Sequence, residues 1–224
     1  MNDNLGGVIT NKSGYLDVNK FIIETRKYLI SRGNYKEYNL KSDNILVGKK
    51  HLKVGGWRTK YLIFCIGAHQ IQSRFFSWLP FNLNKGEIIN IEMNLELNKI
   101  IQKSIIIVPQ NKNEYTVGST YEWENLTHKN TRFGINKIRN KLDSIINCKY
   151  KIKEKKFGIR PASRNKRPFV GLHAKYNKIG ILNGLGSKGV SLTPYCTKNL
   201  LNNILEKKMI NKEINIKRYI SLYS

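Results

Sequence analysis

Apolar residues recur at steps of three and four along two stretches of the chain, and both stretches predict amphipathic helices. The first runs from Asp17, a good N-cap residue, to about Ser31 and ends near Gly33. The second runs from Thr131 to about Ile146. The apolar positions that carry the pattern are Val18, Phe21, Ile22, Tyr28 and Leu29 in the first helix, and Phe133, Ile135, Ile138, Leu142 and Ile145 in the second.

Shorter apolar runs in the first third of the chain predict strands. Residues 44–47 and 51–54 flank Gly48-Lys-Lys, which indicates a hairpin. Residues 60–67 form a continuous apolar run that ends at a glycine, as is typical of a strand buried on both faces in a parallel sheet. Residues 5–10 are expected to form the end of another strand.

The middle of the chain changes character, because apolar and polar residues alternate there with a period of two. Residues 87–92, 104–109 and 115–121 show this pattern, and residues 150–157 add a further short strand. Short turns between the strands favour an antiparallel sheet. The aromatic residues of 75–81 precede it, and we expect most of them to pack in a core.

A glycine-rich stretch at 178–194 predicts a strand, a loop of little side-chain bulk and then a helix. Thr193 and Pro194 have the character of an N-cap and a first helical residue. Such a loop lets the backbone approach a negatively charged ligand, which the helix N-terminus then favours. Its spacing matches the dinucleotide fingerprint G-x-G-x-x-G, but that fingerprint opens its helix within the motif. The alternative is a tight strand-to-helix connection without a ligand.

These segments predict an α/β protein with an interrupted architecture. Residues 1–68 and 158–224 have the pattern of a parallel α/β domain, and residues 69–157 have that of an inserted antiparallel α+β unit. A ligand-binding cleft is expected where the two meet.

The formal net charge of +25 allows two interpretations. So basic a surface could bind nucleic acid through its phosphates. However, the lysines are spread along the chain and accompany many Ile, Asn and Tyr residues, whose codons are A/T-rich, so mutational drift explains the charge without a partner. We favour the second interpretation, because no nucleic-acid-binding module is recognisable.

Other features of the sequence narrow the class of protein. No apolar run is long enough to span a bilayer and no signal peptide is recognisable, so we expect a soluble, cytoplasmic protein without a membrane partner. The three cysteines and four histidines lack ligand spacing, so we expect neither disulfides nor a metal site.

The motifs of hydrolases are missing from the sequence, which contains neither a Gly-x-Ser-x-Gly elbow nor a phosphate-binding P-loop. Arg160 is a candidate ligand-binding residue, because its planar guanidinium suits a carboxylate or a phosphate and because it precedes a rigid proline. A structural ion pair is the equally weighted alternative.

Several motifs together resemble the FAD-dependent D-amino-acid-oxidase and glycine-oxidase superfamily over nearly the whole chain. The C-terminal signature consists of Gly-Ile-Arg-Pro161, Arg167-Pro-Phe-Val-Gly171 and Leu182-Asn-Gly-Leu-Gly-Ser-Lys-Gly-Val-Ser-Leu-Thr-Pro194. Segments that resemble the family also occur earlier and in the same order: Gly14–Asp17, Ile63–Gly67, Leu83–Glu87, Ile107–Pro109 and Val117–Tyr121.

The resemblance implies an oxidoreductase in which FAD accepts a hydride from the carbon of a C–N bond in a small amine or amino acid. It implies that Arg160 holds the substrate carboxylate, while the helix after the glycine loop stabilises negative charge on the reduced flavin. No catalytic side chain is implied. The flavin contacts would come from Leu185, Gly186, Ser187, Lys188, Gly189, Val190 and Ser191.

The sequence departs from the family in two respects. Glycine oxidases carry a tyrosine and an arginine where this chain has Ile106 and Ser187, so the resemblance does not extend to the small amino-acid substrate. The family's N-terminal βαβ unit, which binds the FAD pyrophosphate, has no counterpart, so the predicted Rossmann-like sheet is incomplete.

Three hypotheses follow from these departures: an oxidoreductase that is active only with a separately encoded N-terminal fragment, an inactive remnant of such an enzyme, and a basic protein that associates with tRNA or another nucleic acid.

Overall fold

The computed structural model describes residues 6–223, and its contacts divide the chain into two compact units. The first unit contains Asn82–Pro161 together with the N-terminal segment up to Ser13, and the second contains Gly14–Phe81 and the chain from Ala162 onwards. The division inferred from sequence, 1–68 with 158–224 around 69–157, stays a prediction about domains. The helices and strands, in chain order, are α1 (Val18–Ser31), β1 (Ile45–Val47), β2 (Leu52–Val54), β3 (Trp57–Thr59), β4 (Leu62–Phe64), β5 (Asn84–Met93), β6 (Ile101–Gln102), β7 (Ile106–Asn111), β8 (Glu114–Gly118), α2 (Arg132–Asp143), β9 (Tyr150–Arg160), β10 (Phe169–Leu172), β11 (Ile179–Asn183) and α3 (Gly189–Glu206).

The first unit is a five-stranded antiparallel sheet with α2 packed on one face. The strand order is β6-β7-β8-β5-β9, so β9 pairs along one side only and forms an edge. Alternate residues of β5, β7 and β8 turn toward α2 and form a continuous core, as the period-two pattern predicted. This core contains Ile89, Ile91, Met93, Ile105, Ile107, Tyr115, Val117, Ile135, Ile138, Leu142, Ile145 and Ile146.

A buried polar network fixes the start of α2 against β5. The Thr131 side chain caps the helix by accepting a hydrogen bond from the Gly134 backbone N–H. Glu87 Oε1 in turn accepts hydrogen bonds from the Thr131 backbone N–H and hydroxyl at 2.9 and 3.0 Å. The Lys85 ammonium pairs with the same oxygen at 2.9 Å, so the carboxylate joins strand and helix.

The second unit contains two three-stranded sheets. In one sheet β10 pairs antiparallel with β11, and β11 pairs parallel with β4; in the other, β1, β2 and β3 form an antiparallel meander. The predicted hairpin at 44–47 and 51–54 is confirmed. The expected packing of the aromatic residues is confirmed as well, because Phe75 and Phe76 lie in a buried core and Trp78 and Phe81 pack against it. Other members of this core include Phe64, Leu79, Phe169, Ile179, Ile181 and Ile216.

Of two further strand predictions in this part of the chain, one was confirmed in part and the other was wrong. The run at 60–67 forms a strand at Leu62–Phe64, which pairs parallel with β11 as predicted but is shorter than the run and lies at the edge of its sheet. Leu62 and Phe64 pack against one cluster of buried residues and Ile63 packs against another, and Gly67 then starts a 3-10 turn with a φ of 58°. Residues 6–10 are exposed and form no strand, and Leu5 lies outside the described residues.

The predicted helix α1 forms with Asp17 as its N-cap, since the Asp17 side chain accepts a hydrogen bond from the Lys20 backbone N–H. None of its residues is buried. The apolar stripe that predicted the helix therefore faces solvent, with Phe21, Ile22 and Tyr28 all more than half exposed. Within residues 6–223, no helix combines the length and hydrophobicity needed to cross a bilayer.

Candidate functional site

In the second unit, the parallel strands β4 and β11 end side by side, and Asn183 ties their ends together. The Asn183 side chain is buried and donates a hydrogen bond to the Gly67 carbonyl at 3.0 Å. Its Oδ1 accepts one from the Gly184 backbone N–H at 2.8 Å. The carboxyl end of parallel strands is where ligands bind in open α/β sheets, so this junction marks a candidate ligand site.

The loop after β11 depends on two glycines with positive φ. Gly184 has a φ of +72°, and an added Cβ would lie 2.7 Å from Cδ2 of Phe169. Gly186 has a φ of +55° and begins a 3-10 turn that ends at Lys188. Both glycines are therefore required by the backbone conformation, which brings the chain directly from the strand into the following helix.

That helix, α3, begins at Gly189, so the prediction that it starts at Thr193 and Pro194 was wrong. The 3-10 turn at 186–188 already has a helical backbone, and α3 continues from it. Pro194 lies inside the helix, where it lacks an N–H to donate to the carbonyl one turn before. The Thr193 hydroxyl donates to the Gly189 carbonyl at 2.6 Å instead of capping the helix. The helix thus opens within the glycine motif, as the dinucleotide fingerprint requires.

The N-terminus of α3 has no side-chain cap, because Lys188 occupies the N-cap position without forming such a hydrogen bond. The first backbone N–H groups of an α-helix have no partner within the helix, and its dipole favours an anion there. The seven residues predicted to contact a flavin all lie here. Ser187, Lys188, Val190 and Ser191 are exposed, and Leu185, Gly186 and Gly189 are half-buried.

Arg160 belongs to the first unit, where its guanidinium is fixed by three hydrogen bonds. Nη1 donates to Asn84 Oδ1 at 2.9 Å and to the Thr120 carbonyl at 3.3 Å, and Nη2 donates to the Ser119 hydroxyl at 2.6 Å. The guanidinium carbon also lies 4.6 Å from the centre of the Tyr121 ring. No carboxylate among residues 6–223 pairs with Arg160, which disfavours the structural ion pair as the reason for this residue.

Gly86 provides the flat seat on which the Arg160 guanidinium rests. A Cβ at Gly86 would overlap Cζ, Nη1 and Nη2 of Arg160, so any larger residue would displace the group. Of the five N–H donors of a guanidinium, three are used, which leaves two for a ligand. Burial lowers the pKa of Arg160 from its ordinary value, but an arginine stays charged at neutral pH. The arrangement can therefore bind one carboxylate.

Arg160 lies on the face of the sheet opposite α2. Residues that lie directly opposite one another on neighbouring strands share a face, and Arg160 pairs with Asn84. Two residues further along, Gly86 pairs with Gly158. Gly158 is exposed, and a Cβ added there would meet open space. Next to the guanidinium, the surface of the sheet therefore consists of glycine backbone without side chains.

Sequence reasoning found Arg160 and the glycine loop but missed the residues that hold them. Asn183 was not distinguished from the many other asparagines, and Asn84, Gly86 and Ser119 stood inside quoted motifs without a role. The signal that could have found the seat of Arg160 was the pairing of Gly86 with Gly158 on neighbouring strands. Recognising that pairing requires the register of the sheet.

Comparisons with known proteins concern the family and the fold of the chain. The family model of FAD-dependent oxidoreductases matches residues 2–201. Iminodiacetate oxidase from Chelativorans sp. BNC1 has a similar structure, with a TM-score of 0.71 and 18% identity over 91% of this chain and 58% of that one. Glycine oxidase from Geobacillus kaustophilus has a TM-score of 0.62 and 16% identity over 82% and 50%. L-α-glycerophosphate oxidase from Mycoplasma pneumoniae, with FAD bound, has a TM-score of 0.64 and 15% identity over 84% and 57%.

The chain therefore belongs to the family of FAD-dependent oxidoreductases. Its fold is that of D-amino-acid-oxidase-type flavoenzymes, and it spans between 50% and 58% of the length of these three structures.

Proposed function

We propose that this protein is an FAD-dependent oxidoreductase that oxidises the C–N bond of an amine or amino acid in the cytoplasm, with the hydride passing from the carbon of that bond to flavin. The observation that supports it most is the uncapped start of α3, which follows a positive-φ glycine loop at the end of two parallel strands. Together with the family match, this start supports an anion-binding role for the loop and the helix.

The residues of the loop fit the ring end of FAD. The backbone from Leu185 to Ser191 would contact the flavin ring, because the loop has little side-chain bulk and no side chain caps the N–H groups at the start of its helix. These groups and the helix dipole would stabilise negative charge on the ring. When bound, FAD supplies the acceptor for the hydride and its two electrons.

Arg160 would bind and orient the substrate through a carboxylate. Its two remaining donors match the two oxygens of one carboxylate, and the hydrogen bonds to Asn84 and Ser119 hold the guanidinium in place without neutralising it. Orientation is a sufficient role for the protein in this chemistry, since hydride transfer from a well-placed C–H bond to flavin needs no further nucleophile.

We further propose that a dinucleotide-binding βαβ unit completes the site, supplied by a separately encoded fragment. The exposed apolar stripe of α1 supports this, since exposed apolar surface of this kind marks an interaction site. Such a unit would grip the FAD pyrophosphate at the start of its own helix. An inactive remnant is the alternative that the test below would reveal.

The test is a titration of the 224-residue chain with FAD, followed by visible absorbance and repeated with any βαβ fragment encoded beside it. The informative variant is Ser191→Asp, because a carboxylate at a helix N-terminus does not harm the helix but competes with an anionic ligand. We expect it to raise the Kd for FAD by about two- to thirtyfold, the range that such a charge produces. The control is Ser191→Asn, which should bind as the wild type does.

A chain that binds no flavin even with the fragment would refute the proposed function. Flavin binding that Ser191→Asp leaves unchanged would instead refute the assignment of α3 as the flavin-binding helix.

A further inference from the structure

The sheet of the first unit carries a partly exposed apolar row on the same face as Arg160. Ile88 on β5 lies opposite Gly118 on β8, which lies opposite Ile106 on β7, so the three form a row across neighbouring strands. A Cβ at Gly118 would overlap the Ile88 side chain, which shows that Ile88 leans over this glycine. Ile106 is 39% exposed.

We propose that this isoleucine row is the subsite for the substrate's side chain. It would favour α-amino carboxylates with an aliphatic side chain of about leucine size over glycine-sized and acidic ones. The inference rests on the proposed function, because it takes Arg160 as the group that binds the substrate carboxylate.

The spacing of the sheet supports this assignment. Gly86, under the guanidinium, precedes Ile88 by two residues, so the two lie on the same face about 7 Å apart. Ile106 lies two strands from Ile88, about 10 Å across the sheet. A ligand that binds Arg160 therefore reaches the row only if it extends beyond its carboxylate, as a leucine side chain does and the single methylene of glycine does not.

The charges next to the row argue against an acidic side chain. Lys156 lies opposite Ile88 on β9, but its ammonium pairs with Glu154 at 2.9 Å. The row itself offers no hydrogen-bond donor, so a carboxylate placed on it would lose water without gaining a partner. Each methylene that leaves water gains about fourfold in affinity. A carboxylate whose aliphatic chain fully contacts the row should therefore bind at least about tenfold more tightly than acetate.

The experiment measures how three carboxylates bind to the whole chain, with isoleucine methyl groups labelled for NMR. The probes are acetate, 4-methylpentanoate and succinate, none of which has an amine to be oxidised. Ile88→Val and Ile106→Val identify the two methyl signals. We expect 4-methylpentanoate to bind at least about tenfold more tightly than acetate or succinate and to shift both signals.

The discriminating variant is Ile106→Ser, which should reduce the preference for 4-methylpentanoate over acetate to less than about threefold. The matched control is Val108→Ser, because Val108 lies on the same face one pair further from Arg160 and should leave the preference intact. Thermal unfolding of both variants reports whether the fold is retained.

The outcomes separate the inference from the proposed function. Equal affinity for the three probes, with binding that is lost in Arg160→Gln, would overturn the isoleucine row but keep the carboxylate site. An unchanged preference in Ile106→Ser would do the same. Absence of Arg160-dependent binding for every probe would overturn both the row and the proposed role of Arg160.

Discussion

Replacing Lys85 with methionine should destabilise the protein more than the loss of one surface charge would. Lys85 is 1% exposed and Glu87 is 2% exposed, and they pair at 2.9 Å. The ammonium also donates to the Lys129 carbonyl at 2.5 Å and to the Thr127 hydroxyl at 3.2 Å. Removing one partner of such a pair leaves a buried charge, which costs about 3–5 kcal/mol.

A double-mutant cycle of Lys85→Met and Glu87→Gln measures the coupling between the two side chains directly. Glutamine keeps an oxygen that can accept from Thr131, so the double variant contains neither buried charge and loses fewer interactions than the two single changes imply. We expect it to cost about 2–3 kcal/mol less than the sum of the single variants, as coupled neighbours do. The free energy of unfolding is measured with urea and followed by circular dichroism.

A surface pair at the same distance provides the matched control. Lys153 and Glu92 also pair at 2.9 Å, but their side chains are 47% and 48% exposed. The cycle of Lys153→Met and Glu92→Gln should show coupling within error of zero, since water and salt screen exposed charges. If the buried pair gave additive costs, or a coupling no larger than that of the surface pair, the argument from burial would be wrong.

Three further changes test other parts of the fold. Burial lowers the pKa of His173 in the folded protein below its ordinary 6.5, so the unfolded chain takes up the proton before the folded protein does. The free energy of unfolding should therefore fall as the pH is lowered from about 7 to about 5. His173→Asn should flatten this dependence, and an equal slope in both proteins would contradict it. Gly184→Ala should lower the free energy of unfolding in urea by about 1–3 kcal/mol, because φ is +72° and Phe169 blocks the Cβ. Gly56→Ala, at a site with open space, should lower it less. Similar losses in the two variants would disprove the role of the loop conformation. Pro194→Ala should stabilise α3 by about 1–3 kcal/mol in the same assay, since it restores a helical hydrogen bond, and a loss of stability would show that the proline is needed where it lies.

Sequence patterns predicted those elements whose cause is local. Helix α2 has both its cap, Thr131, and its periodic apolar face within its own residues, and the alternation in β5 and β8 identified the faces of the antiparallel sheet. Helix α1 was predicted for the same reason, although nothing in the pattern told whether its apolar stripe would find a partner.

The remaining features could not be predicted because their causes are distant in sequence. The start of α3 was placed too late because Pro194 is usually found in the first turn of a helix, whereas the backbone of the preceding turn sets the true start. Likewise, the seat of Arg160 joins Gly86 to a residue on a neighbouring strand, a relation that only the register supplies.

The position of β9 at the edge of its sheet offers a reason for part of the positive charge that involves neither a nucleic acid nor mutational drift. The strand carries lysines at 151, 153, 155 and 156, and its outer backbone groups have no neighbouring strand within residues 6–223. An unpaired edge is a template on which another chain can add a strand, and lysines oppose this because two such edges repel each other and lysine resists desolvation. These lysines would therefore protect the protein from aggregation, and replacing them to lower its net charge would expose it to self-association.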